Sequence, residues 1–273
     1  MTEKRYNIPV FIVLMLFSVV MIFPFVWMVF SAFKTTADVY TYPIRLLPSS
    51  FSFDNFIKVF SMISFGRYYF NTIITSVMQT LLQIVLSITA AYAFAKLDFP
   101  FKKFAYMLVQ SAMFVPFSVL VIPLYQMAVK AGLVDTYPGI ILPQVLGVFT
   151  TMLLLSFFST IPEDLISAAK IDGCSYWGIL YHVVLANSTT SISAAVLYAF
   201  LNHWRSYLWP LLVTNDDRLR TIAVGLKYLI SEANSSYQYM IAASLMSILP
   251  LMLVYIFCEK NFVKSITLTG LKN

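Results

Sequence analysis

The chain reads as an all-α integral membrane protein with six transmembrane helices, and three observations support this. Of its 273 residues 60% are hydrophobic and 11% charged, against roughly 25% charged in soluble domains, and its mean hydropathy is +0.80. Six apolar runs of the length that crosses a bilayer, about 18 residues or more, alternate with polar connections. None of the six contains an Asp or Glu. The surplus of six positive charges would suggest nucleic acid in a soluble chain. Here the cations sit between greasy spans, where they meet lipid headgroups and set topology, so no nucleic-acid partner is expected.

The first run, Ile8 to Phe33, follows Lys4 and Arg5 and is longer than a signal-peptide core of about 7 to 15 residues. It is expected to stay as a span, kinked at Pro24, which neighbouring helices can accommodate. Lys34 to Tyr69 carries Pro43, Pro48 and Asn55 and has room for short interfacial helices. Span two, Thr72 to Phe94, places Thr72, Ser76, Gln79 and Gln83 on one helical stripe. Such a stripe faces protein or water, either bonding helix to helix or lining a solute path. Span three, Phe104 to Val129, is expected to bend near its outer end at Pro116 or Pro123. Span four covers Ile140 to Phe158, and span five Thr189 to Val213, interrupted by Asn202, His203, Trp204 and Arg205. Of these, the pair His203 and Arg205 read as interfacial anchors beside Trp204 and Trp209. An outer loop with no net charge, Thr214 to Gln238, in which Asp216, Asp217 and Glu232 balance Arg218, Arg220 and Lys227, leads to span six, Tyr239 to Cys258, which Pro250 is expected to break.

The informative stretch is Ile161 to Ala186, a long polar-containing block between two greasy runs. Thr160 and Glu163 have the spacing of a capping box with Pro162 in the first turn. Leu165, Ala168 and Ala169 would form a small apolar face, and Asp172-Gly173 a stop, since glycine tolerates the left-handed turn that ends a helix. Ser175 can then cap a second helix through Tyr176, Trp177 and Ile179. The residues alone allow an ordinary amphipathic connector at a membrane surface.

Residues 159–187 resemble the EAA loop of binding-protein-dependent ABC importer permeases of the maltose-type carbohydrate class. The pattern falls on Ile161, Pro162, Asp164, Leu165, Ala168, Ala169, Ile171, Asp172 and Gly173. Ser167 replaces the eponymous glutamate and Ala186 a proline. Four other stretches carry the same likeness: Leu47 to Thr72, Ala90 to Pro100, Ala131 to Pro143, and the tail 259–273 with Gly270 and Lys272. Trp204 matches the tryptophan of a family element whose asparagine is Arg205 here.

The resemblance implies a single permease domain over 1–273, of the type I ABC importer fold, with both termini cytoplasmic in a bacterial cell membrane. Charge does not settle the orientation, because the 18 Lys and Arg divide evenly between the two sides. The resemblance further implies a homologous second permease, an ATPase dimer that binds ATP and Mg, an extracytoplasmic solute-binding protein, and a sugar or glycerol-phosphate solute. Glu163, Asp164, Leu165, Ala168, Ala169, Asp172 and Gly173 would contact the ATPase, while Gln79, Gln83, Asn202 and Trp204 would line the solute path. The chain itself is expected to hold no cofactor, metal or catalytic residue, since it has no GxxxxGK[ST] phosphate loop. Cys174 and Cys258 have no metal-type or redox spacing. An ion-coupled transporter would bury an ionisable relay in its spans, and a non-transporting scaffold would lack solute-dependent stimulation of a partner ATPase.

Overall fold

The computed structural model describes the backbone of residues 8–232 and 237–270, with side chains through 230 and over 237–258. Lys4, Arg5 and Lys272 therefore lie outside the described residues, as do the side chains of the rest of the tail. Every regular element among the described residues is helical, and the chain forms two compact units, 1–66 with 225–249, and 67–224 with 250–273.

In the first unit, α1 (Ile8–Ala32) is a 25-residue helix running through Pro24. Its side chains from Ile8 to Phe25 are exposed and, apart from Ser18, which donates to Leu14 O at 2.8 Å, apolar, as befits a helix whose solvent is lipid. Its C-terminal end is closed from outside, because the buried Asn55 amide donates to Ala32 O and Lys34 O, both at 2.8 Å, satisfying carbonyls that a helix end leaves orphaned. Lys34 follows with only 2% of its surface exposed. Its ammonium lies 4.1 Å from the Trp27 ring centroid and donates to Arg45 O at 2.5 Å, so a buried charge finds both a π face and a carbonyl. Two short helices, α2 (Thr36–Val39) and α3 (Asp54–Met62), fill the expected interfacial segment.

The second unit is built on α4 (Phe65–Lys96), 32 residues or about 48 Å long. It begins seven residues before the expected span. After it, α5 (Lys102–Ser111) and α6 (Phe117–Lys130) meet at a 103° bend. The break falls at Val115-Pro116, in the middle of span three and not near its end, because Pro116 starts a new helix while Pro123 rides inside α6. Next, α7 (Tyr137–Ile141) continues through a short 3-10 turn and meets α8 (Val148–Phe158) at 46°.

The polar block then supplies α9 (Glu163–Ile171) and α10 (Tyr176–Ile179). A π-helical turn over Leu180–Leu185 follows, and the chain bends by 89° into α11 (Thr189–Trp204). The interruption expected in span five is present, since α11 stops at Arg205 and α12 (Leu208–Val213) restarts beyond it.

Two further expectations need correction. The outer loop is not irregular, because it carries a 3-10 turn at Asp217–Leu219 and α13 (Ile222–Glu232). Span six is not broken by Pro250, since α14 (Tyr237–Gly270) runs through it and the lost hydrogen bond is one an apolar helix in a bundle can absorb. Three helices are long and apolar enough to cross a membrane, or up to six if each bent pair forms one span.

Candidate functional site: a coupling loop held by a buried polar network

Phe158 and Ile161 are buried against Ala91, Tyr92 and Leu154, and this core continues into the loop through Ile166, Ala169, Ile179, Leu180 and Val184. Apolar contact thus binds α9 and α10 to α4, α8 and α11. The inner face of α9 is Ile166 and Ala169, not the expected Leu165, Ala168 and Ala169. Of those three only Ala169 faces in, because residues three apart share a helix face and Ile166 sets that face.

The predicted capping box does not form. Thr160 donates its hydroxyl back to Phe157 O at 2.7 Å, and Pro162 is the cap residue, with no side-chain cap bond. Glu163 instead takes the Lys96 ammonium at 2.6 Å. That lysine side chain is only 2% exposed, and it also donates to Ile161 O at 2.7 Å. Lys96 therefore pins the start of the loop to the end of α4. The sequence showed it only as one cation in a short connection, since its partners lie more than 60 residues away.

The far end of α9 follows the expectation. Gly173 has φ +80° with nothing within 4 Å of where a Cβ would sit. Cys174 N–H donates to Ala169 O at 2.9 Å and Gly173 N–H to Lys170 O at 3.1 Å, the pair of bonds that closes a helix through a left-handed glycine. Ser175 then accepts from Gly178 N–H at 3.2 Å and caps α10.

The outer face carries Glu163, Asp164, Leu165, Ala168, Asp172 and Gly173, all exposed. Large apolar groups stand among them: Ile171 is 86% exposed, Trp177 70% and Tyr181 69%. A surface of this kind, apolar with an acidic fringe and mounted on a rigid turn, suits docking onto another protein.

The second constellation lies inside the bundle. Thr72, Ser76, Gln79 and Gln83 are all buried; Thr72 accepts from Ile222 N–H at 2.7 Å, and the two glutamines also reach other elements. The Gln79 amide donates to Ile140 O at 2.9 Å and to Gln144 Oε1 at 3.3 Å. The Gln83 amide donates to Thr150 Oγ1 at 2.7 Å, and its carbonyl lies 2.7 Å from His203 Nε2. Ser206 also donates to Gln144 Oε1, at 3.1 Å.

This network joins α4, the α7–α8 break and α11. Gly147 makes it possible, since a Cβ there would lie 2.1 Å from Gln83 Nε2. His203 is accordingly buried and bonded within the bundle, which corrects its reading as an interfacial anchor; Arg205 alone of that pair is exposed. Trp204 is buried and meets Tyr69 edge-on at 5.9 Å. Asn202 is exposed, its amide donating to Tyr198 O within its own helix at 2.8 Å. Of the four expected solute-path residues, the structure brings Gln79 and Gln83 together and leaves Asn202 on an outward face.

A third set closes the turn between α6 and α7. Asp135, itself at φ +56°, accepts from Asn215 N–H at 2.5 Å and Asp216 N–H at 2.9 Å. These backbone donors, that of Asp216 foremost, hold the Asp135 carboxyl below the usual aspartate range. Among the described residues no group of three or more His, Cys, Asp or Glu is arranged to hold a metal ion.

Comparison with known proteins agrees with this architecture. The chain is 30% identical over 254 residues to the arabinooligosaccharides transport system permease protein AraQ of Halalkalibacterium halodurans, covering 92% of this chain and 91% of the relative. It is 29% identical over 280 residues to the sn-glycerol-3-phosphate transport system permease protein UgpE of Brucella abortus, covering 98% and 99%. Its fold matches a solved bacterial ABC transporter involved in import of the acidic polysaccharide alginate with a TM-score of 0.82, at 21% identity over 96% of this chain and 99% of that one. Residues 83–266, which contain the network from Gln83 onward and the whole loop, match the family described as binding-protein-dependent transport system inner membrane component, and the chain belongs to that family of membrane permease subunits.

Proposed function

We propose that this chain is one of two permease subunits of an ATP-driven carbohydrate importer in the bacterial cell membrane, acting as a single permease domain with six spans and both termini cytoplasmic. A homologous permease, an ATPase dimer and an extracytoplasmic solute-binding protein complete the machine. ATP and Mg belong to the ATPase, and the chain carries no chemistry of its own. The solute is an oligosaccharide or a related polyol phosphate, a reading supported by the relatives named for arabinooligosaccharides and glycerol 3-phosphate.

One observation carries the proposal. Residues 159–187 form a rigid turn fastened by Lys96, Ile166 and Ala169 on one side, with acidic and large apolar groups exposed on the other. Leu165, Ala168, Asp164, Asp172 and Gly173 supply the surface that seats on the ATPase, and Glu163 aims it through Lys96. Closure of the ATPase dimer displaces the loop, and the shared core passes that displacement to α4, α8 and α11. Solute and ATP shift the equilibrium between inward-open and outward-open states only by their unequal affinity for the two. The solute path is assigned to the exposed side of α11 at Asn202, while Gln79, Gln83 and Trp204 hold the helices that frame it.

Cross-linking tests the assignment. With Cys174 and Cys258 replaced by Ser, Leu165→Cys or Trp177→Cys is expected to cross-link to the co-purifying ATPase. Cross-linking of neither position to a nucleotide-hydrolysing subunit would overturn it.

A further inference from the structure

We propose that the groove between α5 and α8 holds an anionic phospholipid, headgroup first. The groove has a volume of about 710 Å³, within the range of about 300–1,000 Å³ usual for ligand sites, and belongs to none of the features described above. Charged and polar groups gather at one end, where Phe94 packs against Tyr106, and Leu155 lines the α8 wall between the two ends. At the end beside the α4–α5 turn stand Asp98, Lys102 and Lys103, with Tyr106 one helical turn further in and Gln110 another; beyond them the lining becomes Met113 and Met152. From Lys103 to Met113 the chain rises about 15 Å, enough to follow a phospholipid from its phosphate past the glycerol and into the acyl chains. A free phosphate or a sugar would have no use for the apolar end, whereas an amphiphile uses both.

Charge points the same way. Asp98 offsets one of the two lysines through a 3.7 Å contact to Lys102, which leaves one net positive charge at the mouth. The first turn of α5 carries no acidic residue and no side-chain cap, and the N-terminal end of a helix favours an anion. Access is from the bilayer, since Phe104, Met107 and Leu108 on the same helix are exposed at 58%, 58% and 55%. Basic pockets between membrane helices select anionic headgroups in this manner. Ser159, at the end of α8 where the coupling loop begins, also lines the groove, so the occupant would touch the base of that loop.

The test uses the whole complex, purified in mild detergent through a tag on this chain in its native host. Native mass spectrometry with added phosphatidylglycerol or phosphatidylcholine reads the number of lipids retained. The wild-type complex is expected to retain phosphatidylglycerol in preference to phosphatidylcholine, with Lys102→Gln/Lys103→Gln lowering retention about tenfold and Lys103→Arg preserving it. Lys103→Gln alone, at an exposed position, covers the case in which the double variant does not assemble, and is expected to show part of the loss. Equal phosphatidylglycerol retention in wild type and glutamine variants would overturn the proposal. So would displacement of the lipid by millimolar inorganic phosphate, or a cross-link from Lys103→Cys to a second permease chain.

Discussion

Replacing Gly173 by valine isolates the turn that shapes the coupling surface. The residue sits at φ +80° with open space around the missing Cβ, so the substitution meets no neighbour and the cost is backbone strain alone. For a β-branched residue in the left-handed region that strain is about 1–3 kcal/mol. Escaping it breaks the bonds from Cys174 N–H and Gly173 N–H to Ala169 O and Lys170 O, each worth about 1 kcal/mol net.

The two losses are comparable, so the turn opens in a substantial fraction of molecules. The buried side chains of Ile166, Ile179, Leu180 and Val184, each contributing about 1.5–3 kcal/mol on full burial, keep both helices on the bundle. Gly173→Val is therefore expected to insert into the membrane and retain its permease fold, while losing most of its ATPase in pull-down. Gly173→Asn, which tolerates the left-handed region better, is expected to lose much less. Wild-type ATPase recovery with Gly173→Val would refute the reasoning.

Three further outcomes follow from other contacts. Lys96→Met keeps the buried stem and removes both of its bonds; the exposed Glu163 can turn to water, so the cost is the stranded Ile161 carbonyl, about 1–3 kcal/mol, seen as weaker solute stimulation of ATP hydrolysis with the ATPase still bound. Gly147→Ala drives Gln83 off Thr150 and His203 and is expected to lower stability by about 1–3 kcal/mol in detergent unfolding. Gln83→Ala in the same chain relieves part of that loss, and strict additivity of the two would contradict the close approach. The lowered pKa of Asp135 stabilises the α6–α7 turn fully at pH values above the unfolded aspartate value of about 3.9. That stabilisation disappears as pH falls through the folded value, and Asp135→Asn is expected to abolish the acid step in hydrogen exchange at Asn215 and Asp216.

Local rules made part of this legible in the sequence. Gly173 and Ser175 could be placed because a left-handed stop and an N-cap need only their immediate neighbours, and the stripe of Gln79 and Gln83 because helical period alone makes it. Thr160 misled because the last turn of α8 offered its hydroxyl a carbonyl three residues back, and Glu163 because a lysine distant in sequence reached it first. His203 looked like an interfacial anchor beside two tryptophans; its partner Gln83 lies 120 residues away, beyond any local signal. The break at Val115 was misplaced because two prolines competed, and only Pro116 stands where a helix can begin.

Solute-stimulated ATP hydrolysis tests the central claim most directly. The complex purified through this chain is reconstituted in lipid with its solute-binding protein and assayed across oligosaccharides, glycerol phosphates and amino acids. Strong stimulation by one carbohydrate or glycerol phosphate, lost in Gly173→Val, is the predicted result. Absence of any co-purifying ATPase, or hydrolysis indifferent to every solute, would contradict it.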